Sequence, residues 1–456
     1  MQIVFPLSIL VGIALRIFVS VINRGYYFPD EYFHYVETPY QWLFPEHLYH
    51  LDPSEDLPYR SSFILLIHYA LLWGLKTFGT YTPHGAEITL KTWMSLSSLL
   101  YIFFCVKICR KQTTPQTARW LAMLLMLWYY LISFSPHFLS ENYSVIFTTI
   151  GFYELSKSNK QSDLWFGFWI AIATQFRLQS ALFVLGPVLY FLFKRETRRL
   201  VFLCMGFWGC ILLFGLAETG YKGAPFTTLI SYYKVNISER KLLFEFADPW
   251  YTYWSQLNAQ FGEWFFPVFL FYAFYGLFKK SPLLGLSILC FVLFHQLLPQ
   301  KMIRFLFPIT PILFTYFVIG MTLLKNKALR IYTLAALTFT QIHHSYSKDF
   351  TGGATGEACF LLTDFGKDPD LQHVNLFEDG LFCGYFSLHR DIAMNLHGLK
   401  PWKDFLESTP QTHAKGMYII SNDKKEALRA WLSKHNIFVE QEETRRKVSM
   451  LITQHE

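Results

Sequence analysis

Two adjacent carboxylates follow the first apolar stretch of the chain, in the run Phe28-Pro29-Asp30-Glu31-Tyr32-Phe33-His34. A carboxylate in a partly dry cleft at the water edge of a membrane can take the proton from an attacking hydroxyl. Asp30 and Glu31 are therefore candidates for a general base. Spacing alone equally suits a plainer role, because Pro followed by Asp and Glu favours a first helical turn and complements its dipole. The matching positive charges come much later, in His295-Gln296-Leu297-Leu298-Pro299-Gln300-Lys301-Met302-Ile303-Arg304-Phe305. Lys301 and Arg304 lie on and just after a short turn between two apolar runs. Two such cations suit a phosphate leaving group, whose negative charge grows as it departs. The plainer alternative is interfacial snorkelling of two long side chains.

Further charged positions belong with these. Arg16 sits inside the first apolar stretch, where a charge is costly and points to function unless it pairs structurally. Arg60, in Pro58-Tyr59-Arg60-Ser61-Ser62, offers a donor fork for a phosphate or carboxylate, or an interface anchor at a helix start. Glu141, in Ser140-Glu141-Asn142, enters a helix, and Ser140 before it also reads as an ordinary N-cap. Arg177 ends a helix and carries the same ambiguity. There is no P-loop, GxGxxG or HExxH. The Asp368-Pro369-Asp370 run has the spacing of a metal-nucleotide site but reads as a turn. A sugar carried on a lipid phosphate needs neither a nucleotide site nor a cofactor.

These residues need a scaffold, and the composition says which kind. Of 456 residues, 52% are hydrophobic, 19% aromatic and only 16% charged, against about 25% charged in soluble domains. Apolar runs recur near 3–23, 61–78, 88–106, 117–135, 140–157, 163–177, 179–193, 200–217, 263–278, 283–298, 303–324 and 328–344. Several fall short of the ~20 residues of a standard span, as helices lining a cavity do. The first, lacking a small-residue cleavage site, reads as a retained helix. The net charge of +7 fits cytoplasmic Lys/Arg loops and not nucleic-acid binding. All the basic clusters face the cytoplasm only when 61–78 does not cross; the alternative is that 61–78 crosses and one basic loop breaks the rule. On the first, preferred reading the outer face carries 24–60, the 136–141 corner, 218–262, the 298–302 turn and everything after about 345.

Residues 1–344 thus read as an all-α polytopic membrane domain and 345–456 as a small soluble α/β domain on the non-cytoplasmic side. Met417–Ser421 and Val448–Thr453 read as strands, and Lys424–His435 as an amphipathic helix. Cys359 and Cys383 can pair if the tail meets an oxidising compartment. The sequons Asn142-Tyr143-Ser144 and Asn236-Ile237-Ser238 are of a kind that arises by chance.

Taken in order, these motifs resemble glycosyltransferase family 22, the mannosyltransferases of GPI-anchor and N-glycan assembly and their bacterial relatives. The family's first-helix Arg and its following Pro-Asp-Glu are matched by Arg16 and by Phe28 to Glu31. Arg60-Ser61 matches its Arg-Ser pair, and Ser140-Glu141 loosely matches a Ser-Asn-Ser-x-Glu corner. Tyr221-Lys222-Gly223, Lys234-Val235-Asn236 and Asp248-Pro249-Trp250 look similar to its later Tyr-Gly, Tyr-Asn and His-Pro-Trp elements. Its His-Lys-Glu-x-Arg-Phe motif reads here Gln300-Lys301-Met302-Ile303-Arg304-Phe305, followed by Leu306-Phe307-Pro308-Ile309-Thr310-Pro311. The Lys and Arg are kept; the His and Glu are replaced by Gln300 and Met302.

The resemblance spans roughly residues 10 to 320. It implies a GT-C fold of about 11 to 12 apolar helices and inverting transfer of mannose from a polyprenyl- or dolichyl-phosphate carrier to a glycan or glycolipid. Asp30 would be the base, supported by Glu31. Lys301 and Arg304 would bind the carrier phosphate with Arg60 or His295. Arg16, Glu141, Arg177 and Trp250 would support or face the acceptor, and no metal is expected. The expected setting is a bacterial inner membrane with a periplasmic active face, or alternatively the endoplasmic reticulum. Rival readings are a GT-C enzyme for another lipid-linked sugar, a non-catalytic scaffold, and a lipid-linked substrate transporter.

Overall fold

Long runs of Leu, Phe, Val and Ile in hydrocarbon fold as helices, because every backbone N–H and C=O there must find its partner within its own segment. A computed structural model describes residues 4–26, 30–45, 61–234, 247–324, 327–347, 353–365, 367–368, 370–376, 393–396, 415–435, 437–445 and 448–455.

After α1 (Val4–Ile22) come a π-helix (Asp30–Glu37) and α2 (Thr38–Leu43). The chain continues through α3 (Ser62–Thr77), α4 (Pro83–Gln112), α5 (Pro115–Leu127), α6 (Tyr129–Phe134), α7 (Ser140–Leu155) and α8 (Lys160–Phe176). A 3-10 turn (Leu178–Val184) leads into α9 (Leu185–Phe193), then α10 (Thr197–Ala217), α11 (Thr219–Lys222) and α12 (Thr227–Tyr233). Next are α13 (Thr252–Phe261), α14 (Phe266–Lys280), α15 (Pro282–Leu297), a second 3-10 turn (Ile303–Ile309), α16 (Thr310–Leu323) and α17 (Lys327–Ser347).

Among the described residues, four helical segments are long and apolar enough to cross a membrane: α1, α4, α10 and the run Ile303–Leu323. They become five if α13 and α14, bent by 104°, form one broken span. The apolar runs expected at 61–78, 179–193 and 283–298 are shorter helices, Ser62–Thr77, Leu178–Phe193 and Pro282–Leu297. The chain is a multi-pass membrane protein. Its most apolar 18-residue windows are buried to very different degrees, 78% in Ile303–Leu323 and 28% in α1. Leu10 and Phe18 of α1 are exposed, as suits contact with lipid.

Small residues let backbones meet where lipid tails provide no hydrophobic drive. A Cβ on Gly276 of α14 would lie 2.4 Å from the Tyr316 carbonyl oxygen, and one on Gly320 of α16 would lie 2.1 Å from that of Tyr272.

By contacts the chain forms two compact units: residues 1–17, 57–64 and 93–348, and residues 18–56, 65–92 and 349–456. The second unit includes the soluble tail. There α18 (Gly353–Phe365) precedes β1 (His373–Leu376), β2 (Ala393–Leu396), β3 (Gly416–Ser421), α19 (Lys425–Lys434), β4 (Ile437–Thr444) and β5 (Val448–His455). The strands form one mixed sheet in the order β2-β1-β3-β5-β4. β1 pairs in parallel with β2 and β3, while β5 runs antiparallel to β3 and β4. Leu428, Trp431 and Leu432 of α19 pack on Tyr418, Ile420 and Leu451 of the sheet. The strands expected near 417 and 448 and the helix near 424 are therefore β3, β5 and α19. Cys359 is disulfide-bonded; Cys383, its expected partner, lies outside the described residues.

Candidate functional site

The carboxylate pair sits where a helix is deliberately mis-wound. Asp30 and Glu31 open the π-helix Asp30–Glu37, a form that tends to mark functional positions. Asp30 is described by its backbone only; Phe28, Pro29 and Arg60 lie outside the described residues. Glu31 is fully buried, as are Tyr32, Val36 and Tyr40. Tyr26 packs edge-on to Tyr32 at 4.9 Å. Its burial, and then the Glu87, Glu31 and Glu37 carboxylates, hold its phenol well above the ordinary value. The surroundings of Glu31 are thus dry and acidic.

The chain entering this segment is gripped by Lys91 of α4, which is wholly buried. Its Nζ donates to the carbonyls of Asn23 (2.6 Å) and Gly25 (2.9 Å), to Asn23 Oδ1 (3.0 Å) and to Glu87 Oε1 (2.7 Å). At the far end, Lys76 of α3 donates to the Leu43 carbonyl at 2.7 Å and lies over the Phe44 ring.

The other unit gathers the late cations. Arg177 caps α8 with an extended backbone, and Glu141 stands in the first turn of α7. Arg177 Nη1 donates to Glu141 Oε1 at 2.6 Å, and Arg304 Nε lies 3.7 Å from the same oxygen. Both guanidinium groups lie over the Phe305 ring, at 4.8 and 5.4 Å from its centroid. All three charged residues are buried. Arg177 Nε and Nη2 are buried with no partner among the described residues. Two guanidinium groups meeting at one carboxylate, with two Arg177 donors unmatched among the described residues, make a composition that fits an anion.

Ser140, expected as a cap, does not cap. The helix starts at Ser140 itself, so the N-cap position falls to Leu139, without a side-chain bond; the Ser140 hydroxyl donates to Glu141 Oε2 at 3.0 Å. The sequon asparagine Asn142 is also consumed: its Nδ2 donates to the carbonyls of Phe134 and His137, pinning the corner before α7. The second sequon, from Asn236, lies outside the described residues.

Lys301 is the fastening of the next turn. Its backbone N–H donates to Asp248 Oδ2 at 2.6 Å, and its Nζ donates to the carbonyls of Asp248 and Leu298. Asp248 N–H returns a bond to the Pro299 carbonyl at 2.8 Å. Gln300 is exposed and Met302 half-buried. Trp250 is 78% exposed, with its carbonyl accepting from Gln296. His295 is fully buried, its Nδ1 donating to the Phe291 carbonyl at 2.8 Å. Its Nε2 has no partner among the described residues, and its ring lies 6.4 Å from Phe305.

Arg16 has a different environment. Trp128 breaks the chain between α5 and α6 with an extended backbone, which orphans the last α5 carbonyls. Trp128 N–H takes that of Leu124. Arg16 Nη2 and Nη1 take those of Leu125 (3.1 Å) and Met126 (2.7 Å). Gln341 takes that of Leu127. Arg16 Nε also donates to Ser98 Oγ. The intramembrane arginine therefore caps a broken helix.

A model of the Alg9-like mannosyltransferase family matches residues 7–353. No curated protein matches the chain. Among solved structures, ArnT from Cupriavidus metallidurans bound to undecaprenyl phosphate is similar with a TM-score of 0.63 at 13% identity, covering 98% of this chain and 97% of that one. The Archaeoglobus fulgidus oligosaccharyltransferase tethered with an acceptor peptide gives 0.52 at 13% identity, covering 93% of this chain and 71% of that one. At these identities the likeness concerns the fold, which is that of GT-C membrane glycosyltransferases.

Proposed function

Because the chain belongs to the Alg9-like mannosyltransferase family, and so is a glycosyltransferase using a lipid-linked sugar, we propose that its donor is polyprenyl- or dolichyl-phosphate β-mannose and its product an α-mannoside. The acceptor is a hydroxyl of a glycan or glycolipid. Asp30 takes the proton of that hydroxyl as its oxygen attacks C1. The bond from C1 to the phosphate oxygen breaks on the opposite face, and the lipid phosphate leaves with the electron pair. Configuration inverts, and no nucleotide, cofactor or metal takes part.

The observation that carries this reading is the buried Arg177, tied to Glu141 by one nitrogen and holding two unused donors beside Arg304. We assign the carrier phosphate to these two arginines, whose planar forks match phosphate oxygens. Lys301 holds the following turn in place. Arg60 is a further donor in this reading, and Trp250 and Glu141 act on the acceptor side or in support; His295, with its Nδ1–H given to the Phe291 carbonyl, presents Nε2 as an acceptor and does not serve the phosphate.

Along α14 an apolar groove of about 700 Å³ is lined by Trp254, Phe271, Phe274 and Phe278. Trp254 follows Tyr253, which lies within electrostatic reach of Arg177 and Asp248. It offers a bed for an isoprenoid chain.

The disulfide at Cys359 supports a non-cytoplasmic tail, in a periplasm or an endoplasmic-reticulum lumen. Of the two we favour the periplasm.

The test is transfer of radiolabelled mannose from synthetic polyprenyl-phosphate mannose to a panel of mannosides, by purified wild type and Asp30→Ala. Transfer by wild type alone is the expected result. Transfer by Asp30→Ala at the wild-type rate removes the base assignment. Failure of wild type with mannose but success with another lipid-linked sugar replaces the donor.

A further inference from the structure

Three helices meet the short turn that carries Arg304 and Phe305. α7 brings Glu141, α13 brings Gln256 and α15 brings His295, and each of these helices packs against the 3-10 turn Ile303–Ile309. Arg177 is their common neighbour. It is bonded to Glu141, and His295 and Tyr253 both lie within its electrostatic reach. Gln256 stands one turn along α13 from Tyr253.

Histidine and glutamine can each donate or accept, and here one bond apiece settles which atom is left over. The His295 ring is wholly buried, and its Nδ1 meets the Phe291 carbonyl at 2.8 Å. A carbonyl only accepts, so Nδ1 carries the proton and Nε2 of the neutral ring keeps a bare lone pair. Gln256 Nε2 donates to the Lys301 carbonyl at 3.1 Å, and the other end of that amide is the acceptor Oε1. His295 Nε2 and Gln256 Oε1 are both buried with no partner among the described residues. The Arg177 atoms in the same condition, Nε and Nη2, are donors.

The two sets of atoms ask for different parts of one ligand. The oxygens of a phosphodiester only accept, so they satisfy Arg177 and are repelled by the lone pairs of His295 and Gln256. A hydroxyl has a hydrogen to give and suits those lone pairs. A bare lipid phosphate would leave two buried acceptors unmatched, which is costly. An anion joined to a polyol, as in a sugar phosphodiester, matches both sets at once.

We infer that His295 Nε2 and Gln256 Oε1 accept hydroxyl hydrogens of the sugar on the loaded carrier, and that these two residues determine which sugar is taken. This inference rests on the assignment of the carrier phosphate to Arg177 and Arg304. A site built around buried acceptors rejects a sugar that lacks the matching hydroxyl, because its own atom is then left unpaired.

The test uses the full-length protein in nanodiscs with synthetic polyprenyl-phosphate mannose, its monodeoxy analogues and bare polyprenyl phosphate. Equilibrium binding and kcat/KM are both measured. Wild type is expected to bind the loaded carrier more tightly than the bare one, and to penalise one analogue by about 10- to 100-fold. In His295→Phe the parent donor falls by a similar factor, and the penalty on that analogue shrinks to within about threefold. Each analogue is compared across two proteins, so its intrinsic reactivity cancels. Binding of bare polyprenyl phosphate stays as in wild type. His295→Gln, whose amide oxygen can take the place of Nε2, restores the penalty that His295→Phe loses. Gln256→Lys keeps a donor for the Lys301 carbonyl but has no acceptor; it removes the penalty on a different hydroxyl, and it decides the matter if His295→Phe does not fold.

Penalties that are the same in wild type, His295→Phe and Gln256→Lys overturn the inference. So does a wild type that binds bare and loaded carrier equally, or a His295→Phe that loses the bare carrier together with the parent. If wild type binds the loaded carrier but transfers no mannose, the functional reading fails by itself, and the binding series still decides whether the two acceptors read the sugar.

Discussion

Glu141 holds Arg177 by one nitrogen only. The Oε1–Nη1 distance is 2.6 Å, while Nε and Nη2 of the same guanidinium are buried and unmatched among the described residues. A fork held on one prong is oriented without being used up. Arg177→Gln is expected to weaken the donor's kcat/KM by roughly 100-fold or more, since two charge-assisted bonds are lost at about 1.5–3 kcal/mol each. Arg177→Lys is not expected to rescue, because one ammonium cannot span two phosphate oxygens. Steady-state kinetics across a donor series measures this; an unchanged donor KM in both variants removes Arg177 from the phosphate.

Asp30→Asn keeps size and polarity but cannot take a proton. A drop in kcat of about 10² to 10⁴ is expected, with binding of the lipid phosphate unaltered in an equilibrium assay. Loss of binding and turnover together would mean that Asp30 holds the donor and is not the base.

Arg16→Met leaves the carbonyls of Leu125 and Met126 without the donors they now have. Each orphaned buried acceptor costs about 1–3 kcal/mol. A clear fall in thermal stability in detergent is expected, with donor and acceptor KM within about threefold of wild type. A raised acceptor KM at full stability would move Arg16 from the scaffold into the reaction.

Cys359 is disulfide-bonded and buried, as are its neighbours in sequence Ala358 and Leu361. Intact membranes treated with a maleimide are expected to show no labelling of Cys359 before reduction. Cys359→Ser is expected to cost the protein about 2–4 kcal/mol. Labelling without reductant would place this cysteine in a reducing compartment.

The apolar character, the first helix and the C-terminal strands were legible because they repeat locally: hydrophobicity at a helical or two-residue period appears in a short window. The pairing of Lys301 and Arg304 was legible only as a motif. Its meaning shifted in three dimensions, with Lys301 closing the turn against Asp248 while Arg304 joins Arg177 over Phe305. Phe305 was visible in the motif, yet its service to two arginines depends on a residue 128 positions earlier. The capping role of Arg16 was hidden for the same reason. Its partners are carbonyls freed by a break at Trp128, and that break leaves no compositional mark. Ser140 misled in the opposite way: its type suits a cap, but the helix starts one residue earlier than such a cap requires, with Leu139 at the cap position.

In the reading that we propose, with the carrier phosphate on Arg177 and Arg304, Glu141 also sets an order of preference between ligands. Its carboxylate stands against the same guanidinium groups and repels any anion that joins them. The loaded carrier is a sugar phosphodiester with a single negative charge. After transfer it is a phosphate monoester bearing about −1.5 to −2 at neutral pH, and the repulsion from Glu141 grows in proportion. On that reading the carboxylate favours exchange of the spent carrier for a loaded one.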